Sequence, residues 1–187
     1  FRALARQDLQ AAHDELKANH PAAVLPGEAS QSFQAWIDAG LADALGKAGQ
    51  VNSGDAHAYL MRYYANGFRD SNISMRPSFE GLGPFFGISW PGLATGWRDG
   101  KYVVTYVKPG VRGLPPVGAE LVECQGTTAE ELAQEKLDQW EGNLETEAGR
   151  VLSAPYLLWN RNNSFTRGLP GECDFSVNNR RARTFRM

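Results

Sequence analysis

Apolar positions along the chain follow two different periods. From Arg2 to Asn19 they fall at Ala5, Leu9, Ala12 and Leu16, one stripe of a helix. Pro21 disfavours helical geometry at His20, so the helix ends there, and "HPAAVLPGEAS" reads as a loop. A second helix carries Phe33, Trp36, Ile37, Leu41, Ala44 and Leu45 on one face, and Gly46 and Gly49 bracket its end. Ser53 caps a third helix, with Asp55 in its first turn and Ala56, Tyr59, Leu60, Tyr63 and Tyr64 inward. Gly67 supplies its stop. Three such helices pack as a small bundle.

After Gly67 the period shortens. "NISMRPSF" alternates, with Ile73 and Met75 on one side, and "GLGPFFGISWPGLATGW" is rich in glycine and aromatics. In "RDGKYVVTYVKPG" an Asp-Gly turn opens a β-branched and aromatic run with few polar residues on either face, which predicts an interior strand. "AELVEC" is a second strand, turned by Gly126. A capping box follows, either Thr127 with Glu130 or Thr128 with Glu131. The helix it opens points Ala129, Leu132 or Ala133, Leu137 and Trp140 inward. A further helix from about Leu144 to Leu152 turns Ala148, Val151 and Leu152 inward, and Pro155 stops it. "YLLWNRNNS" fits a buried strand or a helix end equally. The last segment, "CDFSVNNRRARTFRM", reads as a hairpin turning at Asn178-Asn179. The fold class is therefore α+β: a helical domain over 1–68, then a mixed module of short strands and one or two helices over 69–187.

The chain has 187 residues and a formal net charge of −2, which gives no strong attraction to nucleic acid or anionic membrane. No apolar run approaches the roughly 18–20 residues that span a bilayer. The chain begins at Phe1 inside a helix and ends at Met187 inside a strand, a pattern expected of a trimmed or processed product.

Its chemistry is sparse. G-x-S-x-G, P-loop and H-E-x-x-H patterns are absent, and no cofactor is expected. His13, His20 and His57 are not at metal-ligand spacing with Cys124 and Cys173, so no metal is expected either. The two cysteines are either buried thiols or one disulfide. His57 reads as a surface or partly buried helix residue, since Asp55, two positions away, lies on another face. His20 suits a cap and Asp70 a turn. A small enzyme using His57 or Asp70 has no substrate to propose. Phe79, Phe85, Phe86, Trp90 and Trp97 could line a groove, although aromatics in a chain of this size more often fill a core. In "EGLGPFFGI", Gly81, Gly83 and Gly87 could aim backbone N–H groups at an anion such as a peptide carboxylate, and a plain hairpin loop explains them equally well. Arg180, Arg181, Arg183 and Arg186 read as a solvated hairpin face.

The order of these parts resembles the N-terminal half of the bacterial C-terminal-processing (tail-specific, tricorn-like) serine peptidases. The residues that carry the likeness are a helix ending in His20-Pro21, then "GFRDSNIS", "GKYVVTYV", "VGAELVECQGTTAEEL" and a late "CDF" strand. The family's PDZ-like pattern maps onto Gly118, Ala119, Leu121, Cys124 or Gln125, Gly126 and Leu132. The chain departs at Ala119, where the family often has an acid, and at Asp70-Ser71-Asn72, where the family usually reads D-x-H. The resemblance implies a PDZ-like module over 69–187 that binds a peptide or protein substrate. The peptide carboxylate would meet Gly81, Leu82, Gly83, Phe85, Phe86, Gly87 and Ile88. The apolar groove would lie between Phe85 to Trp90 and the helix from Thr128 to Trp140. The catalytic serine and lysine would sit in a domain downstream of Met187, leaving no catalytic residue in this chain. The resemblance further implies a periplasmic or secreted bacterial protein, which favours a Cys124–Cys173 disulfide. The competing expectation is a stand-alone peptide- or protein-binding scaffold.

Overall fold

A computed structural model of the chain describes residues 1–25, 27–75, 88–178 and 180–187. It is α+β, with N-terminal helices followed by an antiparallel sheet carrying short helices. The chain divides into two compact units, Phe1–Phe86 with Asn163–Phe165 and Gly87–Asn162 with Thr166–Met187.

The first unit contains α1 (Arg2–Asn19), α2 (Pro21–Val24), α3 (Glu28–Lys47) and α4 (Gly54–Asn66). Ala5 and Leu9 from α1, Phe33, Ile37 and Ala44 from α3, and Ala56, Leu60 and Tyr64 from α4 form its core with Phe68. The segment after His20 is not all loop. Pro21 occupies a first-turn position, where its missing N–H costs nothing, and His20 Nδ1 accepts a hydrogen bond from Ala22 N at 3.3 Å. Ser53 caps α4 by accepting from Ala56 N at 3.1 Å.

Gly67 ends α4, but not through a left-handed turn: its φ is −67°. A Cβ at Gly67, or at Gly40 in α3, would collide with the Trp36 indole, whose Nε1 donates to Tyr64 O at 2.9 Å. The two glycines thus make the slot for that ring. Gly67→Ala is expected to destabilise the protein by about 1–3 kcal/mol through overpacking. Urea denaturation reads this directly, and an unchanged midpoint would mean that the indole swings clear.

Two histidines tie α1 to its neighbours. His13 is buried, with Nδ1 2.8 Å from Asp14 Oδ1 and Nε2 2.8 Å from Asp38 Oδ1 of α3. Lys17 Nζ reaches the same Asp38 carboxylate at 2.9 Å. His57 of α4 is fully buried rather than at the surface, and its Nε2 lies 3.0 Å from Asp8 Oδ2 of α1. Asp8 comes from another helix, beyond the reach of the local spacing around Asp55.

The hydrogen bonds of His13 hold the carboxyls of Asp14 and Asp38 below the ordinary 3.8, helped by Gln10 and Lys17 respectively. Burial pushes the His57 imidazole below the ordinary 6.5, and the Asp8 charge opposes this in part. A lowered carboxyl pKa gives stability that is present above the unfolded value and lost as pH falls through the folded one. A lowered imidazole pKa acts in the same direction, because the unfolded chain takes up the proton first. The thermal midpoint is therefore expected to fall in two stages, first below about pH 6.5 and then below about pH 4. His57→Gln should remove the first stage. A midpoint that stays flat between pH 7 and 5 would exclude the His57 contribution.

Among the described residues, the second unit is built on an antiparallel sheet of six strands: β1 (Leu93–Arg98), β2 (Lys101–Val107), β3 (Glu120–Cys124), β4 (Thr127–Thr128), β5 (Glu172–Ser176) and β6 (Arg183–Arg186). The order is β1-β2-β3-β5-β6, with β4 paired to β3. Asp99 (φ 51°) and Gly100 (φ 76°) make the β1–β2 turn, which needs positive φ at both positions. β2 is interior. Tyr102 and Val104 are buried, while Tyr106 is 48% exposed and stacks on Trp90 at 6.1 Å between centroids.

Helix α5 (Ala129–Lys136) starts at Thr128. Glu131 N donates to Thr128 Oγ1 at 3.3 Å and Thr128 N to Glu131 Oε2 at 2.9 Å, so this pair forms the capping box. Leu132, Ala133 and Leu137 pack with Leu93, Val104, Leu121, Leu157, Leu158 and Phe175. Helix α6 (Glu147–Ser153) begins at a Thr146 cap and does not bury the expected face. Ala148, Val151 and Leu152 are exposed, and Ser153, Ala154, Leu157 and Leu158 are buried. The buried pair Ser153-Ala154 lies two residues beyond Val151-Leu152, which turns the inner stripe by about 200°. Pro155 does not end the segment: it sits in a 3-10 turn, Ala154–Tyr156. The final hairpin forms, but β5 and β6 pair only from Phe175↔Arg183, so their connection is longer than two residues.

Candidate functional site

In the first unit the loop after α4 shapes a pocket. Asp70 Oδ1 accepts from Asn72 N at 2.8 Å and from Asn72 Nδ2 at 3.0 Å, an Asx turn that uses one residue to fold the next two. Ser32, Phe33, Phe68, Arg69, Asp70 and Ser71 line a cavity of about 340 Å³. His20 stacks on Phe33 with centroids 4.9 Å apart, and its Nε2 lies 4.0 Å from Asp70 Oδ2. Because Nδ1 accepts from Ala22 N, the proton of the neutral ring sits on Nε2 and faces Asp70. That tautomer cannot take a proton at Nε2, so the ring is placed as a donor and a wall and not as a general base. Two phenyl rings under a polar rim suit the seating of an apolar side chain.

In the second unit a shallower pocket of about 210 Å³ opens between Trp97, Lys101, Tyr102, Glu120, Thr128 and Glu130. Arg150 clasps one side of it. Its Nη1 and Nη2 each donate to Glu130 at 2.8 Å, Nη1 also reaches Tyr102 Oη at 3.3 Å, and the guanidinium lies 4.6 Å above Trp97. Trp97 Nε1 donates to Glu147 Oε2 at 2.9 Å. On the other side Lys101 Nζ donates to Glu120 at 2.7 Å. Arg150 holds the Glu130 carboxyl below its ordinary range, and burial pushes the Tyr102 phenol up to about 12. Neither group changes charge near neutral pH. Among the described residues the charges around the pocket are paired, Glu130 with Arg150 and Glu120 with Lys101.

Lys136 went unnoticed in the sequence. It is buried on the inner face of α5, its Nζ donates to Trp159 O at 2.9 Å, and burial pushes its pKa down to about 8. The signal was present, since Lys136 falls on the Ala129–Leu132–Ala133 stripe. Enclosed in this way, it fixes the Trp159 backbone and cannot meet a substrate.

Of the residues expected to meet a peptide carboxylate, Gly81, Leu82, Gly83, Phe85, Phe86 and Gly87 lie outside the described residues, as does Phe79. Ile88 is described and exposed. Trp90 lies between Tyr106 and Trp159. The inner face of α5 is occupied by the unit's own core. Cys124 and Cys173, directly opposite on β3 and β5, form a disulfide. Among the described residues no group of three or more His, Cys, Asp or Glu is placed to hold a metal ion, and no helix is long and apolar enough to cross a membrane.

No protein-family model and no curated protein matches this sequence. Solved structures do. The crystal structure of mature CPAF superposes with a TM-score of 0.63 at 15% identity, covering 98% of this chain and 33% of that one. Mature CPAF complexed with lactacystin gives 0.64 at 15% identity, covering 98% and 34%. The likeness is one of fold, and the chain spans about a third of the length of those structures.

Proposed function

We propose that this chain is a substrate-handling or regulatory region of a secreted serine peptidase. It would hold peptide C-termini and leave peptide-bond cleavage to a domain downstream of Met187. The observation that carries the reading is the likeness to part of the CPAF protease over 98% of this chain. It agrees with the peptidase family that the sequence resembles. The buried disulfide supports a periplasmic or secreted setting, where such bonds persist. In this reading a peptide lies as an added strand, with its carboxylate at Gly81 to Gly87 and Ile88. In this reading the Arg150–Glu130 pair and Trp97 form one wall of the shallow pocket.

The exposed Val151 and Leu152 on α6 favour a second reading, a stand-alone scaffold that docks a partner through that face. The reading frame beyond Met187 separates the two. The peptidase account expects it to continue into an α/β domain bearing a serine and a lysine. A stop codon directly after Met187 would overturn that account and leave the scaffold.

A further inference from the structure

We propose that Lys136 is a positioning residue of the peptide site: from inside the second unit it holds the Ile88–Trp90 segment in place through Trp159 and Asn160. The proposal rests on the peptide-capture reading, in which that segment meets the ligand. Lys136 ends α5 on its buried face and is 4% exposed. Its Nζ donates to Trp159 O at 2.9 Å. The next residue, Asn160, exchanges two backbone hydrogen bonds with Ser89. Asn160 N donates to Ser89 O at 2.8 Å, and Ser89 N donates to Asn160 O at 3.0 Å. This bridge is isolated from the ladder of the sheet, so it holds only as well as Asn160 is held. Trp90, the neighbour of Ser89, lies 6.2 Å from Trp159 and 6.1 Å from Tyr106 between ring centroids. The path from Lys136 to Ile88 therefore runs through one side-chain bond and one backbone bridge, all within one compact unit.

The charge of Lys136 argues against a packing role. Among the described residues no carboxylate pairs with its ammonium. Glu141 is engaged by Arg161 at 3.0 Å, and Glu135 Oε2 lies 4.0 Å from Arg167 Nη1. Burial pushes the Lys136 pKa down to about 8, so the group is still charged at neutral pH in surroundings that disfavour the charge. An apolar side chain of the same length fills the space without that desolvation cost. It cannot hold the Trp159 carbonyl. The carbonyl bond, and the segment it fixes, is what the lysine adds.

The test is Lys136→Met, which keeps the stem and removes the donor. Amide exchange is followed by NMR on the whole chain without peptide. Exchange at Ser89 and Asn160 should quicken about tenfold or more, and amides of β3 and β5 should not change. The thermal midpoint should stay within about 4 °C of the wild type, because a buried charge is removed along with the bond. Lys136→Gln, whose amide stops one bond short of the Trp159 carbonyl, should quicken the same two amides. Unchanged exchange at Ser89 and Asn160 in either variant overturns the proposal. So does loss of folding, or a lower midpoint with all amides quickened alike, since either marks Lys136 as a general support. A peptide ending in a free carboxylate should bind Lys136→Met about tenfold more weakly than the wild type. Equal binding by the two overturns the link to the peptide site. No binding by either, with Ser89 and Asn160 responding as stated, defeats the peptide-capture reading and leaves the brace standing.

Discussion

Replacing Cys124 and Cys173 together by alanine is expected to destabilise the protein by about 4 kcal/mol. The bond joins residues 49 apart in sequence. Closing a loop of that length in the unfolded chain removes entropy worth about 4 kcal/mol in the chain-entropy account. Alanine is the informative replacement, because both sulfurs are buried and serine would add an unpartnered hydroxyl to the core. The cystine also ties β3 to β5 across the middle of the sheet order, where Leu121 and Phe175 face each other. Chemical denaturation of oxidised protein and of the variant measures the difference. A loss below about 1 kcal/mol would mean that the unfolded chain already holds these segments together.

Tyr64→Ala is expected to cost about 3–5 kcal/mol, the range for emptying a buried aromatic site. Tyr64 is fully buried in the helical unit, its hydroxyl donates to Ile37 O at 3.0 Å, and its ring meets Phe68 edge-on. Its backbone carbonyl also receives the Trp36 indole N–H. Burial pushes the phenol well above its ordinary pKa, so it stays a hydrogen-bond donor across the stable pH range. Tyr64→Phe removes only the hydroxyl and should cost about 1 kcal/mol. The two variants separate packing from hydrogen bonding. Equal losses would show that the Ile37 carbonyl, and not the cavity, dominates.

Local rules in the sequence predicted local structure well. The stripes of α1, α3 and α4, the Asp99-Gly100 turn and the Thr128 capping box each depend on neighbours within one or two turns of chain. What escaped depends on distant partners. Strand β1 lies in a run marked only by its glycines and aromatics, yet it is held by pairing with β2, and Gly96 leaves room for the Thr105 methyl. His13 and His57 lie on apolar stripes, at Leu9 plus four and beside Ala56, so their burial could have been suspected. Asp38 and Asp8 could not, because they come from other helices. The displaced face of α6 has the same origin: Leu157 and Leu158 beyond Pro155 set which side packs. The groups clasped by Arg150, the Glu130 carboxylate and the Tyr102 hydroxyl, are 20 and 48 residues away.

Peptide capture is the heart of the functional account, and one titration tests it most directly. A peptide ending in a free carboxylate and its C-terminal amide are titrated into the whole chain while tryptophan fluorescence is followed; Trp90 lies two residues from Ile88. The account predicts saturable binding of the acid at least tenfold tighter than that of the amide, as expected when backbone N–H groups receive a carboxylate. No binding by either peptide, or equal binding by both, would contradict it.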